Sequence, residues 1–137
     1  GGQVTRSPKP EIGWFNIELT EEGRRDPLFQ GLPSRLEVYQ WHGDMCVPPK
    51  DGAALHLATA ERCPMQAFRY GANAYGLQFH AEITGQSIDE WSREYAADKA
   101  DERAAMLARY KEIKGDFHRY GRMLCDNFVK IMQGEAA

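Results

Sequence analysis

The sequence predicts one globular domain in which β-strands come first and α-helices follow. Up to Phe79, short runs of alternating apolar and polar residues are separated by Gly and Pro, a pattern typical of strands and turns. From Ser87 onward, apolar residues recur every three or four positions, as in amphipathic helices. With 137 residues, the chain is long enough for one domain or a large part of one.

Composition and charge argue against several functional classes. The chain is 42% hydrophobic and 27% charged, so it should fold rather than stay disordered. A net charge of −3 provides no basic surface for nucleic acid or an anionic membrane. No apolar run approaches the roughly 20 residues of a membrane span. The three cysteines include no CxxC pair, so we expect no disulfide framework and a reducing, cytoplasmic location.

The strand candidates all lie in the first 80 residues. They are Gln3–Arg6, Glu11–Leu19, Leu36–Trp41, Ala54–Thr59, Met65–Tyr70 and Tyr75–Phe79. A Pro-rich joint at Ser7–Pro10 and turns at Pro48-Pro49 and Gly71–Ala74 separate them. The only helical turn predicted among them is at Asp26–Pro33. Since parallel strands need helical crossovers, the sheet should be mainly antiparallel or mixed, or else the second half of a larger sheet.

Apolar stripes of helical spacing fill the C-terminal third. They consist of Ile88, Trp91 and Tyr95, then Met106, Leu107 and Tyr110, and finally Phe117, Tyr120, Leu124, Phe128 and Ile131. Ser87 or Asp89 is available to cap the first helix. The charge-rich segment Ala97–Ala105 is expected to separate or join the first two helices. The last stripe must be buried, and the sheet of the same domain is the expected surface, with a dimer or synthase partner as the alternative.

The stretch Tyr75–Glu82 carries the strongest functional signal. Its strand pattern ends in His80-Ala81-Glu82, and residues two apart in an extended chain point to the same side. A carboxylate beside an imidazole fixes the tautomer and stabilises the imidazolium of a general base. The pattern predicts two members of a catalytic triad, His80 and Glu82. Taken alone, the two residues are also compatible with an ordinary surface pair.

Five segments in order resemble the triad-type (class I) glutamine amidotransferases. Gly76–Glu82 resembles the signature G-x-Q-F-H-x-E, although Pro is commoner than Ala at position 81. Gly1–Val4 is similar to the segment after the family's nucleophile helix, Glu11–Trp14 to its E-x-G-W strand, Asp26–Phe29 to a short turn, and Trp41–Asp44 to its x-H-x-D loop. The resemblance covers roughly residues 1–90 and is strongest to stand-alone, GMP synthase-like members.

The resemblance implies an α/β, flavodoxin-like fold. Residues 1–86 would be the C-terminal half of the amidotransferase domain, with mixed strands, and residues 87–137 a helical tail packed on it. The implied reaction is hydrolysis of glutamine to glutamate and ammonia by a Cys-His-Glu triad, with His80 as general acid/base and Glu82 orienting it. A substrate-binding or positioning role is implied for Trp41, His42, Gly43 and Asp44.

The implied partners are glutamine and an unidentified ammonia-accepting synthase domain or subunit, and homo-oligomerisation stays open. No cofactor is implied. The candidate residues lack zinc-like spacing, so we predict no metal site. Trp14, Trp41 and Trp91 are expected to pack in the core.

None of the cysteines fits the role of the family's nucleophile, which lies in a G-x-C-x-G elbow. Cys46 is in a predicted loop, Cys63 precedes Pro64, and Cys125 is within the last helix. None has small neighbours at the start of a helix, the setting that lowers a thiol pKa. We therefore expect a C-terminal fragment that is inactive alone. The alternatives are a non-catalytic amidotransferase-like binding module and a γ-glutamyl hydrolase on the same scaffold.

Overall fold

The computed structural model describes residues 1–135, which form a five-stranded sheet followed by two helices. The elements are β1 (Gln3–Leu19), α1 (Glu21–Arg25), a 3₁₀ turn (Pro27–Phe29), β2 (Arg35–Val47), β3 (Ala54–Thr59), β4 (Ala67–Tyr70), β5 (Ala74–Leu77), α2 (Gly85–Tyr95) and α3 (Ala100–Gln133). The strand order is β2-β1-β3-β4-β5, and each neighbouring pair is antiparallel. Among the described residues, no helix is long and apolar enough to cross a membrane.

The long hairpin of β1 and β2 differs from the prediction in two places. The joint at Ser7–Pro10 lies inside β1, where it coincides with a break in the ladder between Arg6 and Glu11. Proline has no N–H to donate to a ladder, so the pairing is interrupted while the chain stays extended. The predicted loop at His42–Asp44 is wrong: these residues belong to β2, in which His42 pairs with Glu11 and Asp44 pairs with Arg6 of β1.

The helices also differ from the prediction at their ends. Thr84, rather than Ser87 or Asp89, caps α2, and its side-chain oxygen accepts a hydrogen bond from the Ser87 amide at 3.1 Å. The second and third predicted stripes lie on the single helix α3, which starts inside the predicted connecting segment, at Ala100. Without a proline between Ala100 and Gln133, nothing in this stretch forces the helix to end.

Two adjoining apolar clusters join the helices to the sheet. Leu124 and Ile131 of α3 belong to one cluster together with Ile17 and Leu57 of the sheet. Met106 and Phe117 of α3 belong to the other, together with Tyr39 of β2, Ile83 and Ile88. The three tryptophans pack against the second cluster, which confirms their predicted structural role. The helices thus pack on the part of the sheet around Tyr39, the residue of β2 that pairs with His80.

Candidate active site

His80 is fixed through its backbone to a strand far from it in sequence. The predicted strand Tyr75–Phe79 is shorter in the structure, since β5 ends at Leu77. His80 then pairs with Tyr39 of β2: its amide donates to the Tyr39 carbonyl at 2.8 Å, and the Tyr39 amide donates back at 3.3 Å. This bridge sets the position from which the imidazole extends.

His80 and Glu82 form the pair that the sequence predicts. Nδ1 of His80 lies 2.7 Å from Oε1 of Glu82, and because an ionised carboxylate only accepts, Nδ1 is the donor. The other oxygen of Glu82 accepts from the Ala81 amide at 3.0 Å. The hydrogen bond from His80 is the main cause of a lowered pKa of the Glu82 carboxyl, which is therefore ionised at neutral pH. Among the described residues, Nε2 of His80 has no hydrogen-bond partner.

An aromatic wall stands on one side of this pair. Trp91 of α2 makes an edge-to-face contact with His80, with ring centroids 5.2 Å apart. Trp41 of β2 contacts Trp91 in the same manner at 6.0 Å, so this predicted site residue is linked to His80 through Trp91. The His80 side chain remains 30% exposed. The indole helps to orient the imidazole while leaving it accessible.

The predicted site residues His42 and Asp44 have other partners. Nε2 of His42 lies 2.9 Å from Oε2 of Glu11, and its Nδ1 lies 2.9 Å from the Asp44 carbonyl oxygen. The Asp44 carboxylate forms an exposed ion pair with Arg6 at 3.6 Å, and Gly43 lies beside that arginine. Both ring nitrogens of His42 are thus engaged, in contrast to those of His80.

Around Glu11 lies a buried polar network that the sequence did not indicate. Nε2 of Gln66 donates to Oε2 of Glu11 at 3.1 Å, and Nε2 of Gln40 donates to Oε1 of Gln66 at 2.7 Å. Cys63 is fully buried beside them. Burial and the charge of Glu11 raise the pKa of the Cys63 thiol, so it stays protonated and is a poor nucleophile. The members are up to 55 positions apart, so no local motif could reveal them.

The fold defines the class of protein. A crystal structure of a glutamine amidotransferase from Thermotoga maritima matches it with a TM-score of 0.82 over 95% of this chain and 56% of that chain, at 30% identity. One from Methylobacillus flagellatus, 22% identical, shares the fold with a TM-score of 0.80 over 96% of this chain and 56% of that one. The predicted α/β, flavodoxin-like fold of the class I amidotransferases is confirmed.

The chain belongs to the class I glutamine amidotransferase family, since the family model "Glutamine amidotransferase class-I" matches residues 1–93. The "Putative glutamine amidotransferase-like protein YfeJ" of Salmonella typhimurium is 40% identical over 80% of this chain and 45% of that protein. A subunit of the glutamine-hydrolysing GMP synthase of Pyrococcus abyssi is 38% identical over 61% of this chain and 43% of that protein. The chain therefore spans about half the length of these relatives.

Proposed function

We propose that this chain supplies the acid/base half of a glutamine-hydrolysing site. The observation that carries the proposal is the 2.7 Å hydrogen bond from Nδ1 of His80 to Glu82, within a chain of this family. The bond leaves Nε2 of His80 as the proton acceptor, and the ionised carboxylate stabilises the imidazolium that forms. The nucleophile would be a cysteine outside the 137 residues of this chain.

The reaction would take place in two steps, with each proton passing through His80. Nε2 accepts the proton of the cysteine thiol while the sulfur attacks the side-chain amide carbon of glutamine. The imidazolium returns this proton to the leaving nitrogen, so that ammonia departs and a thioester remains. Nε2 then accepts a proton from water, whose oxygen attacks the thioester. Glutamate is released when the proton passes to the sulfur.

The ammonia would pass to a synthase domain or to a separate synthase protein. The Pyrococcus abyssi relative is named as one subunit of a glutamine-hydrolysing GMP synthase, so it is designated as part of a larger enzyme. For this protein we propose an ammonia-accepting synthase without naming its product. A homo-oligomer of this protein is compatible with that arrangement. Cys46, Cys63 and Cys125 are free thiols, in keeping with a cytoplasmic location.

The test is production of glutamate and ammonia by the full-length protein that contains this chain. We expect activity with the wild type and its loss in His80→Gln and Glu82→Gln. His56→Gln is the matched control, because Nε2 of His56 only contacts the carbonyls of Ala58 and Pro64. Faster turnover of a γ-glutamyl peptide than of glutamine would instead identify a γ-glutamyl hydrolase. A folded wild type that hydrolyses neither compound would indicate a binding module and contradict the proposal.

A further inference from the structure

Three potential metal ligands converge in the interior, on segments that are separate in sequence. They are a carboxylate oxygen of Glu11 in β1, a ring nitrogen of His42 in β2 and Sγ of Cys63 between β3 and β4, all within 4.8 Å of one another. The side chains of Glu11 and His42 are 1% and 8% exposed, and Cys63 is fully buried. Such a grouping of unlike ligands is unusual for a buried core, where ionisable side chains are rare.

The contacts of His42 require a proton or a metal cation between its Nε2 and the Glu11 carboxylate. The Asp44 carbonyl can only accept, so Nδ1 of His42 must carry a hydrogen. In the neutral ring, Nε2 then presents a lone pair to Oε2 of Glu11 at 2.9 Å. Two acceptors at this separation repel each other unless a proton or a metal cation lies between them.

The surrounding hydrogen bonds are those that accompany metal ligands in proteins. A metal-bound histidine usually donates its other N–H to a carbonyl or carboxylate, and a ligating carboxylate usually accepts a further hydrogen bond. Here the Asp44 carbonyl and the Gln66 amide have these roles. Gln66 is in turn fixed by Gln40, whose Nε2 donates to Oε1 of Gln66 at 2.7 Å.

We propose that Glu11, His42 and Cys63 bind a divalent transition-metal ion, for which Zn²⁺ is the best fit. Zinc takes carboxylate oxygen, imidazole nitrogen and thiolate sulfur in a tetrahedron, with one position left for water or another ligand. A thiolate and an imidazole disfavour Mg²⁺ and Ca²⁺, which prefer oxygen ligands. Of the three ligands, Glu11 also lines a surface cleft of about 520 Å³.

The three ligand atoms lie within 4.8 Å of one another, so some would have to approach by up to about 1 Å to hold the ion. Ligand atoms in a tetrahedral zinc site are roughly 3.3 to 3.8 Å apart. Nε2 of His42 and Oε2 of Glu11 would therefore separate by about half an ångström, and the Cys63 thiol would lose its proton. The bound ion would tie β1, β2 and the turn before β4 together. The proposal is independent of glutamine hydrolysis, and its test does not use that activity.

The test is binding of Co²⁺ and Zn²⁺ to chelator-treated, full-length protein. We expect one equivalent of Co²⁺ to give strong visible bands of tetrahedral coordination together with a thiolate-to-cobalt charge-transfer band. Zinc should displace the cobalt and raise Tm. Cys63→Ser should abolish the charge-transfer band and weaken zinc binding at least about tenfold. Cys125→Ser is the matched control, since it removes an exposed thiol on α3, and it should leave both unchanged.

Two outcomes would overturn the inference. One is a wild-type cobalt complex without a thiolate band, a measurement that does not depend on whether Cys63→Ser folds. The other is an NMR spectrum in which His42 keeps protons on both ring nitrogens in the presence of one equivalent of Zn²⁺. That result would mean that a proton, and not a metal, satisfies the contact with Glu11.

Discussion

Two histidine–carboxylate pairs on the same sheet have similar chemistry and opposite surroundings. The side chains of His80 and Glu82 are 30% and 68% exposed, whereas those of His42 and Glu11 are 8% and 1% exposed. His80 has one ring nitrogen engaged in a hydrogen bond to the chain, and His42 has both. The comparison shows that the second ring nitrogen, and not the carboxylate, distinguishes a potential base from a structural contact.

Because only one pair is buried, the two pairs should contribute differently to the free energy of unfolding. Removing one partner of a buried ion pair typically costs about 3 to 5 kcal/mol, because the other charge is left uncompensated. An exposed pair is typically worth less than about 1 kcal/mol. Changes at His80 and Glu82 should therefore affect activity and hardly alter stability, and changes at His42 and Glu11 should do the reverse.

The largest effect is expected from His80→Gln. Loss of the proposed general base should lower kcat/KM for glutamine by about 10² to 10⁴-fold in the full-length protein. The free energy of unfolding should change by less than about 1 kcal/mol, since the side chain is partly exposed. Steady-state kinetics and urea denaturation measure the two quantities on the same samples. An unchanged kcat/KM would mean that the pair has no catalytic part.

A comparable effect, but on stability, is expected from Glu11→Ala. Removal of the carboxylate leaves His42 and Gln66 without their partner, so unfolding in urea should become easier by about 3 to 5 kcal/mol. Glu82→Ala is the control and should cost less than about 1 kcal/mol. Chelator-treated protein should be used, so that the difference reports the pair alone. Equal losses in the two variants would remove the distinction between the pairs.

Local patterns were sufficient to predict the candidate pair and most of the strands. The alternation from Tyr75 and the spacing of His80 and Glu82 depend on neighbouring residues, which one stretch of sequence contains. The family was identified in the same way, because each of its segments is short and contiguous. These features required no knowledge of which strands are adjacent.

What the sequence did not reveal depends on pairing between distant segments. The sequence around His42, Gly43 and Asp44 has the composition of a turn, and only the length of β1 keeps these residues in a strand. Glu11, His42 and Cys63 meet because β1 lies between β2 and β3 in the sheet. Thr84 was missed as a cap because its role requires an extended backbone just before the helix.

A smaller effect is expected where α3 supports the segment between His80 and Glu82. A Cβ at Gly121 would collide with the carbonyl oxygen of Ala81, so Gly121→Ala should destabilise the fold by about 1 to 3 kcal/mol and shift the pair. Gly115 lies in the same helix with open space around it, and Gly115→Ala should stabilise by about 0.5 to 1 kcal/mol. Thermal unfolding of both variants distinguishes a packing effect from helix propensity. A stabilising Gly121→Ala would show that α3 does not press on this segment.

The smallest effect is expected in the pH dependence of stability that arises from the His80–Glu82 pair. The hydrogen bond from His80 lowers the pKa of the folded Glu82 carboxyl below its ordinary value of 4.5. A lowered folded pKa stabilises the fold above the unfolded pKa, and this stability is lost as the pH falls through the folded value. His80→Ala should therefore raise the Glu82 pKa toward 4.5 in an NMR titration of the carboxyl carbon. It should also flatten the dependence of stability on pH below that value, by less than about 1 kcal/mol because Glu82 is largely exposed. A Glu82 pKa that does not move would mean that the backbone amides, and not the imidazole, determine its charge, and the pair would then be less coupled than the 2.7 Å contact implies.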